Sequence, residues 1–142
     1  MPTKRRPKKN SVVVQYAVPR RGVPSASVLR RWAQIASRQP VTFRIVGERE
    51  GRALNRTFRK KNYATNVLSF HTGDVVLCHP VIRREARAQG KSLTAHYAHL
   101  VVHGVLHLRG YRHEKKRDAA RMEAREIRLL RHAGFRNPYT VE

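Results

Sequence analysis

His103-Gly104-Val105-Leu106-His107-Leu108-Arg109-Gly110-Tyr111-Arg112-His113 is the stretch around which the chain organises itself. On a helix, His103 and His107 lie one turn apart and point the same way, so both imidazoles reach one ion. Gly110 lets the backbone leave that helix in a left-handed conformation, a reversal that brings His113 round as a third ligand. Three imidazoles on Zn²⁺ leave one position open for water, the arrangement of a catalytic rather than a structural zinc. The competing reading is a plain polar stripe, because His96, His99, His103 and His107 all fall near one helical face. Against it stand Gly110 and the apolar filling Val101, Val102, Val105, Leu106 and Leu108, which suggests a buried helix where unpaired imidazoles are costly. His99, one turn before His103, is the rival ligand and reads as a supporting or core residue.

The spacing H-x-x-x-H-x-x-G-x-x-H is also that of the metzincin proteases, which carry Glu directly after the first His to activate water. Here that position is Gly104. The metal scaffold is present and the protease base is missing.

Composition narrows the partner. With 31 Lys+Arg against 9 Asp+Glu, the formal net charge is +22 in 142 residues. Such an excess favours a polyanion through counterion release. Arginine outweighs lysine, which suits bidentate phosphate contacts and stacking on bases. Cys78 is the single cysteine, so no internal disulfide forms and a reduced, cytoplasmic setting is expected. No apolar run approaches membrane-spanning length, and the basic N-terminus lacks the apolar region of a secretory signal. No membrane partner is expected.

Outward from the motif, the segments read as one α+β domain over residues 12–142, preceded by a disordered basic arm over 1–11 with Lys4, Arg5, Arg6, Lys8 and Lys9. Val12 to Val18 predicts a first strand. Ser25 and its neighbours predict a helix start, with Leu29, Trp32, Ile35 and Ala36 as the core stripe. Val41, Phe43 and Ile45 alternate as a half-buried strand. A short helix is expected over 48–59 with Leu54 and Phe58 facing in. Val67–Phe70 and Asp74–Cys78 predict two strands joined through Thr72-Gly73. Pro80 opens a helix that Gly90 closes, and Ser92 caps the long helix that carries His103 and His107. A last helix runs to about Ala133 with Ala119, Met122, Ile127, Leu129 and Leu130 as its apolar members, and Gly134 ends it.

The segment from His103 to His113, continued by Glu114, resembles the signature of the YbeY family of bacterial metal-dependent endoribonucleases. Further blocks fit in the right order: Leu54-Asn55-Arg56-Thr57-Phe58-Arg59, Ala64-Thr65-Asn66-Val67-Leu68-Ser69-Phe70, Gly73-Asp74, Ala98-His99-Leu100-Val101-Val102 and Asn137-Pro138-Tyr139. The resemblance implies a small mixed sheet packed with helices and one zinc per chain on His103, His107 and His113. It also implies a functional arginine at Arg59, which otherwise reads as an exposed helix-end cation. The implied work is late ribosomal RNA maturation, at the small-subunit 3′ end, and ribosome quality control. The partners would then be single-stranded RNA, ribosomal RNA and the ribosome, with no DNA specificity. This chain has Arg112 where the family usually has Asp, Arg109 where an apolar residue is commoner, and a short connection from Phe70 to Gly73.

The leading expectation is therefore cleavage of single-stranded RNA at a zinc centre, with Arg59 stabilising charge on the phosphorus oxygens. Asp74 and Glu114 are the candidate general bases, although Asp74 equally suits a strand cap and Glu114 a helix cap. The alternative from another class is a ribosome-binding assembly factor with a chiefly structural zinc, which the basic arm, Arg109 and Arg112 favour. A metalloprotease rests on the histidine spacing alone.

Overall fold

The computed structural model describes residues 11–140. The expected basic arm falls on residues 1–10, outside the described residues, apart from Ser11, whose carbonyl already accepts a hydrogen bond from Val41 N (3.0 Å). The elements in order are β1 (Val12–Tyr16), α1 (Ala26–Ala36), β2 (Val41–Val46), α2 (Glu48–Arg59), β3 (Val67–Phe70), β4 (Asp74–Cys78), α3 (His79–Ala88), α4 (Leu93–Leu108) and α5 (Lys116–His132).

The strands form one mixed sheet in the order β1-β2-β4-β3. β1, β2 and β4 run parallel, and β3 is an antiparallel edge strand against β4. β1 and β2 are parallel because α1 carries the chain back between them, whereas β2 and β4 are parallel because β3, entered at the end where β2 leaves, itself runs back before Thr72-Gly73 reverses the chain. Alternation along the strands makes two cores. Val41, Phe43, Ile45, Val75 and Leu77 join Leu29, Trp32 and most of α4 in the larger one. Val46, Leu68, Val76 and Cys78 join Leu54 and Val81 in the smaller one, on the α2 side. The architecture is thus a single α+β domain with a small mixed sheet between helices.

α1 starts where Ser25 accepts from Val28 N, and Leu29, Trp32, Ala33 and Ala36 recur at helical spacing on its buried face. β1 stops at Tyr16 instead of running to Val18, though Ala17 N still bonds to Ile45 O (2.8 Å). In α2 Leu54 faces the smaller core as expected, but Phe58 does not face in: it is 60% exposed. Its ring meets Phe70 edge-to-face at 5.1 Å, at the end of edge strand β3. The last turn of α2 therefore covers the margin of the sheet and not its centre.

α4 is enclosed by α1, α3, α5 and the sheet, so it is apolar almost all round, and Ser92 caps it by accepting from Ala95 N (3.0 Å). It packs tightly on the sheet at Gly104. A Cβ there would lie 2.9 Å from Val75 Cγ1 and 3.2 Å from Val67 Cγ2. The residue after the first histidine points into packed strands, which is why glycine stands where a protease has its glutamate. Among the described residues no helix is long and apolar enough to cross a membrane.

Candidate metal centre

From His96 onward, the positions of α4 that keep some exposure are His99, His103, His107 and Leu108; every other residue to Val105 and Leu106 is buried. Three histidines at spacing four are thus the open seam of a buried helix, as the 3.6-residue repeat requires. The helix ends in a loop that completes the site. Gly110 adopts φ +96°, Gly110 N bonds to His107 O (3.0 Å) and Tyr111 N to Leu106 O (3.1 Å). This pair of bonds is the Schellman closure, available because glycine has no Cβ to oppose a left-handed turn. The reversal swings His113 back to the helix, with its ring centroid 4.7 Å from that of His107 and 5.8 Å from that of His103. The donor atoms of His103, His107 and His113 lie within 4.8 Å of one another.

Hydrogen bonds set the ring tautomers. His103 Nδ1 faces the Glu126 carboxylate (2.8 Å) and His107 Nδ1 faces the Tyr111 carbonyl (2.9 Å). Both partners only accept, so each Nδ1 carries the proton and each Nε2 presents a lone pair. Those two Nε2 atoms face each other at 3.1 Å. Two acceptors at that separation repel, and a shared cation relieves the repulsion. At a zinc–nitrogen length of roughly 2.0–2.1 Å, both can bind one ion. Burial, followed by the neighbouring His103 and His113, lowers the His107 pKa to about 4. His107 is therefore a neutral imidazole at neutral pH, able to offer its Nε2 lone pair. His113 is exposed on its loop and is the member free to adjust.

Behind the triad lies a residue that the sequence reading did not single out. Glu126 of α5 is fully buried, and its Oε1 accepts from His103 Nδ1 and from His99 Nε2 (3.0 Å). Its Oε2 accepts from the Tyr139 hydroxyl (2.7 Å). Burial alone raises the Glu126 pKa, but the hydrogen bonds from His103 and His99, with Tyr139, override it and leave the carboxyl at about 2. Its negative charge fixes the proton on His103 Nδ1, the carboxylate–histidine support common around metals. His99, Glu126 and His103 also cluster as potential ligands, yet His99 Nε2 is occupied by the carboxylate. His99 is thus a supporting residue, as read from sequence. The signal for Glu126 was present: Met122, Glu126 and Leu130 make the buried stripe of α5 at spacing four, and an acid on such a stripe needs a partner.

The other candidates are dispersed. Arg59 is exposed at the C-terminal end of α2, beside the Phe58–Phe70 contact and on the opposite face of β3 from Gly104. It and the histidines flank the same edge strand but do not touch. Asp74 opens β4 and accepts a hydrogen bond from the Thr72 hydroxyl. Glu114 and Arg112 are exposed on the loop on either side of His113.

Comparison with known proteins bears on the whole arrangement. The family model described as Endoribonuclease YbeY matches residues 25–134. The Endoribonuclease YbeY of Aromatoleum aromaticum is 52% identical over 125 residues, covering 82% of this chain and 81% of its own. That of Nitrosomonas eutropha is 45% identical over 140 residues, covering 92% and 99%. A solution structure from Thermotoga maritima superposes with a TM-score of 0.52 over 92% of this chain and 99% of its own; at 18% identity the likeness is one of fold.

Proposed function

The chain belongs to the YbeY endoribonuclease family, and on that premise we propose that it is a zinc-dependent endoribonuclease acting on single-stranded RNA, ribosomal RNA foremost, in the cytoplasm. One observation carries the metal half of this reading: the Nε2 atoms of His103 and His107 face each other at 3.1 Å while both Nδ1 protons are engaged elsewhere. Neutral imidazoles without a ligating carboxylate favour zinc over magnesium or calcium. The net charge of +22 supports a nucleic-acid substrate.

When bound, zinc supplies a Lewis acid and lowers the pKa of its water. The chain does the rest. His103, His107 and His113 hold the ion, and Glu126 keeps His103 in the ligating tautomer. Glu126 itself is not the proton acceptor, since it is fully buried and its two oxygens already take three hydrogen bonds. Asp74 is held by Thr72, whereas Glu114 is exposed one residue beyond His113; we assign proton handling to Glu114. Arg59, across the edge strand, binds a phosphate of the strand and stabilises charge there. Gly104 removes the protease reading, because its side-chain direction is filled by Val75 and Val67.

The test compares wild type with His107→Ala on a labelled single-stranded RNA, following cleavage, metal content and thermal stability together. Wild type is expected to hold about one zinc and to cut, and the variant to remain folded and do neither. A wild type that binds zinc and RNA without cutting above the variant's background removes the enzyme and leaves an RNA-binding factor.

A further inference from the structure

The chain goes on past α5. Gly134 adopts φ +92°, and residues 135–140 then run back over the helices as a strap. It is tied down at successive points. Phe135 N donates to Leu130 O (2.8 Å), and the Phe135 ring meets Trp32 of α1 edge-to-face at 5.9 Å. Lys91, between α3 and α4, donates its Nζ to the Pro138 carbonyl. Tyr139 N donates to Asn137 Oδ1 (2.9 Å), which fixes the backbone from which the tyrosine side chain projects. That side chain turns inward. Its hydroxyl donates to Glu126 Oε2 (2.7 Å) and lies 3.2 Å from His99 Nε2, and its ring stands edge-on to His99 at 5.2 Å. The residue is nevertheless 43% exposed, so one phenol joins the surface to a fully buried carboxylate.

The donors and acceptors around Glu126 close into a ring. A phenol has one proton to give and lone pairs to receive. Its proton goes to Glu126 Oε2, and its oxygen shares the His99 Nε2 proton with Glu126 Oε1 (3.0 Å). The same Oε1 accepts from His103 Nδ1. Burial, followed by the hydrogen bond to Glu126, holds the Tyr139 hydroxyl protonated well above the usual tyrosine range, so it stays a donor. The carboxylate is thus held at both ends, Oε1 by two histidines and Oε2 by the tyrosine. Without the phenol proton Oε2 would be a buried acceptor with no donor, which is costly. The group would then turn to spread its remaining donors over both oxygens and leave the line of His103 Nδ1. Phenylalanine would cover the same apolar surface, so holding the strap in place does not by itself call for the hydroxyl. We propose that Tyr139 is a positioning residue of the metal centre, acting through Glu126 on His103, and that the strap thereby sets the affinity for zinc. The proposal rests on the zinc reading.

The test is a set of zinc dissociation constants for the full chain, measured by competition with a chromogenic chelator. Wild type is compared with Tyr139→Phe, Glu126→Gln and the double variant. Tyr139→Phe is expected to bind zinc about 10-fold more weakly, at the low end of losses for groups that support a metal ligand. In the Glu126→Gln background the same change is expected to add less than about twofold, because the carboxylate it positions is gone. Lys91→Met, which frees the strap at Pro138, is expected to weaken zinc in the same direction. A Tyr139→Phe protein that binds zinc like wild type overturns the proposal. So does a loss that recurs in full in the Glu126→Gln background, since Tyr139 then acts without the carboxylate. A second readout needs no metal. The His103 Nδ1 proton is expected to give a resolved imidazole N–H resonance in zinc-free wild type, and to shift and exchange faster with water in Tyr139→Phe. A wild type that binds no zinc removes the metal reading, and the resonance then decides the positioning alone: moved by Tyr139→Phe, it upholds the link from Tyr139 to His103, and unmoved it overturns that link.

Discussion

Glu126 shows how much one buried charge can organise. It touches no solvent, yet it sets the proton on His103 and anchors Tyr139 near the end of the chain. Replacing it with glutamine keeps the shape and removes the charge. The Glu126→Gln variant is expected to bind zinc about 10- to 100-fold more weakly, measured by competition with a chromogenic chelator; an unchanged affinity would show that the carboxylate is mere packing. A second residue-scale expectation concerns His79, whose Nδ1 accepts from the buried Tyr97 hydroxyl at 2.5 Å. Burial, with help from Arg83, lowers its pKa. A histidine depressed in the folded state binds its proton first in the unfolded chain. Its contribution to stability is therefore present above the ordinary pKa of about 6.5 and lost as pH falls through it. Denaturant titrations of wild type and His79→Gln should diverge below that pH, with wild type losing more; parallel curves would remove the assignment.

At the scale of the element, α4 depends on its contact at Gly104. Adding one methyl there gains about 1 kcal/mol of helix propensity but drives a Cβ against Val75 and Val67, where overpacking costs roughly 1–3 kcal/mol. Val75 is fully buried in the strand beneath and has little room to yield. Gly104→Ala is accordingly expected to lower the denaturant midpoint; a variant as stable as wild type would mean that the helix can lift from the sheet freely. Much of this helix was legible beforehand. The cap at Ser92, the histidine seam and the glycine reversal are local patterns, and local patterns survive in sequence. Phe58 and Glu126 escaped because their fates depend on neighbours distant in the chain. Whether Phe58 finds a core depends on where the sheet ends, and the meaning of Glu126 depends on α5 lying beside α4. The spacing within α5 marks Glu126 as an acid on a buried stripe, but no periodicity within α2 or α5 names the neighbours that Phe58 and Glu126 meet.

For the molecule as a whole, the proposed metal and the fold would be linked. His107 is neutral and its partner nitrogen is 3.1 Å away, so the folded chain presents a site that the unfolded chain lacks. Zinc at 100 times its dissociation constant should add about 2.7 kcal/mol to the stability, seen as a rise in Tm that a chelator reverses. No rise on adding zinc would mean that the triad holds no ion. The same view shows the two faces of α5: its inner stripe of Met122, Glu126 and Leu130 supports the histidines, while Arg121, Arg125 and Arg128 line a groove on its outer face. A helix turns by 100° per residue, as its 3.6-residue repeat dictates. Deleting or inserting one residue between Asp118 and Glu126 would swing the carboxylate away from His103 and put Ile127 or Arg125 in its place. Outward side chains of this helix can be exchanged at little cost, but its length up to Glu126 is fixed by the carboxylate, as the loop before it is fixed by His113.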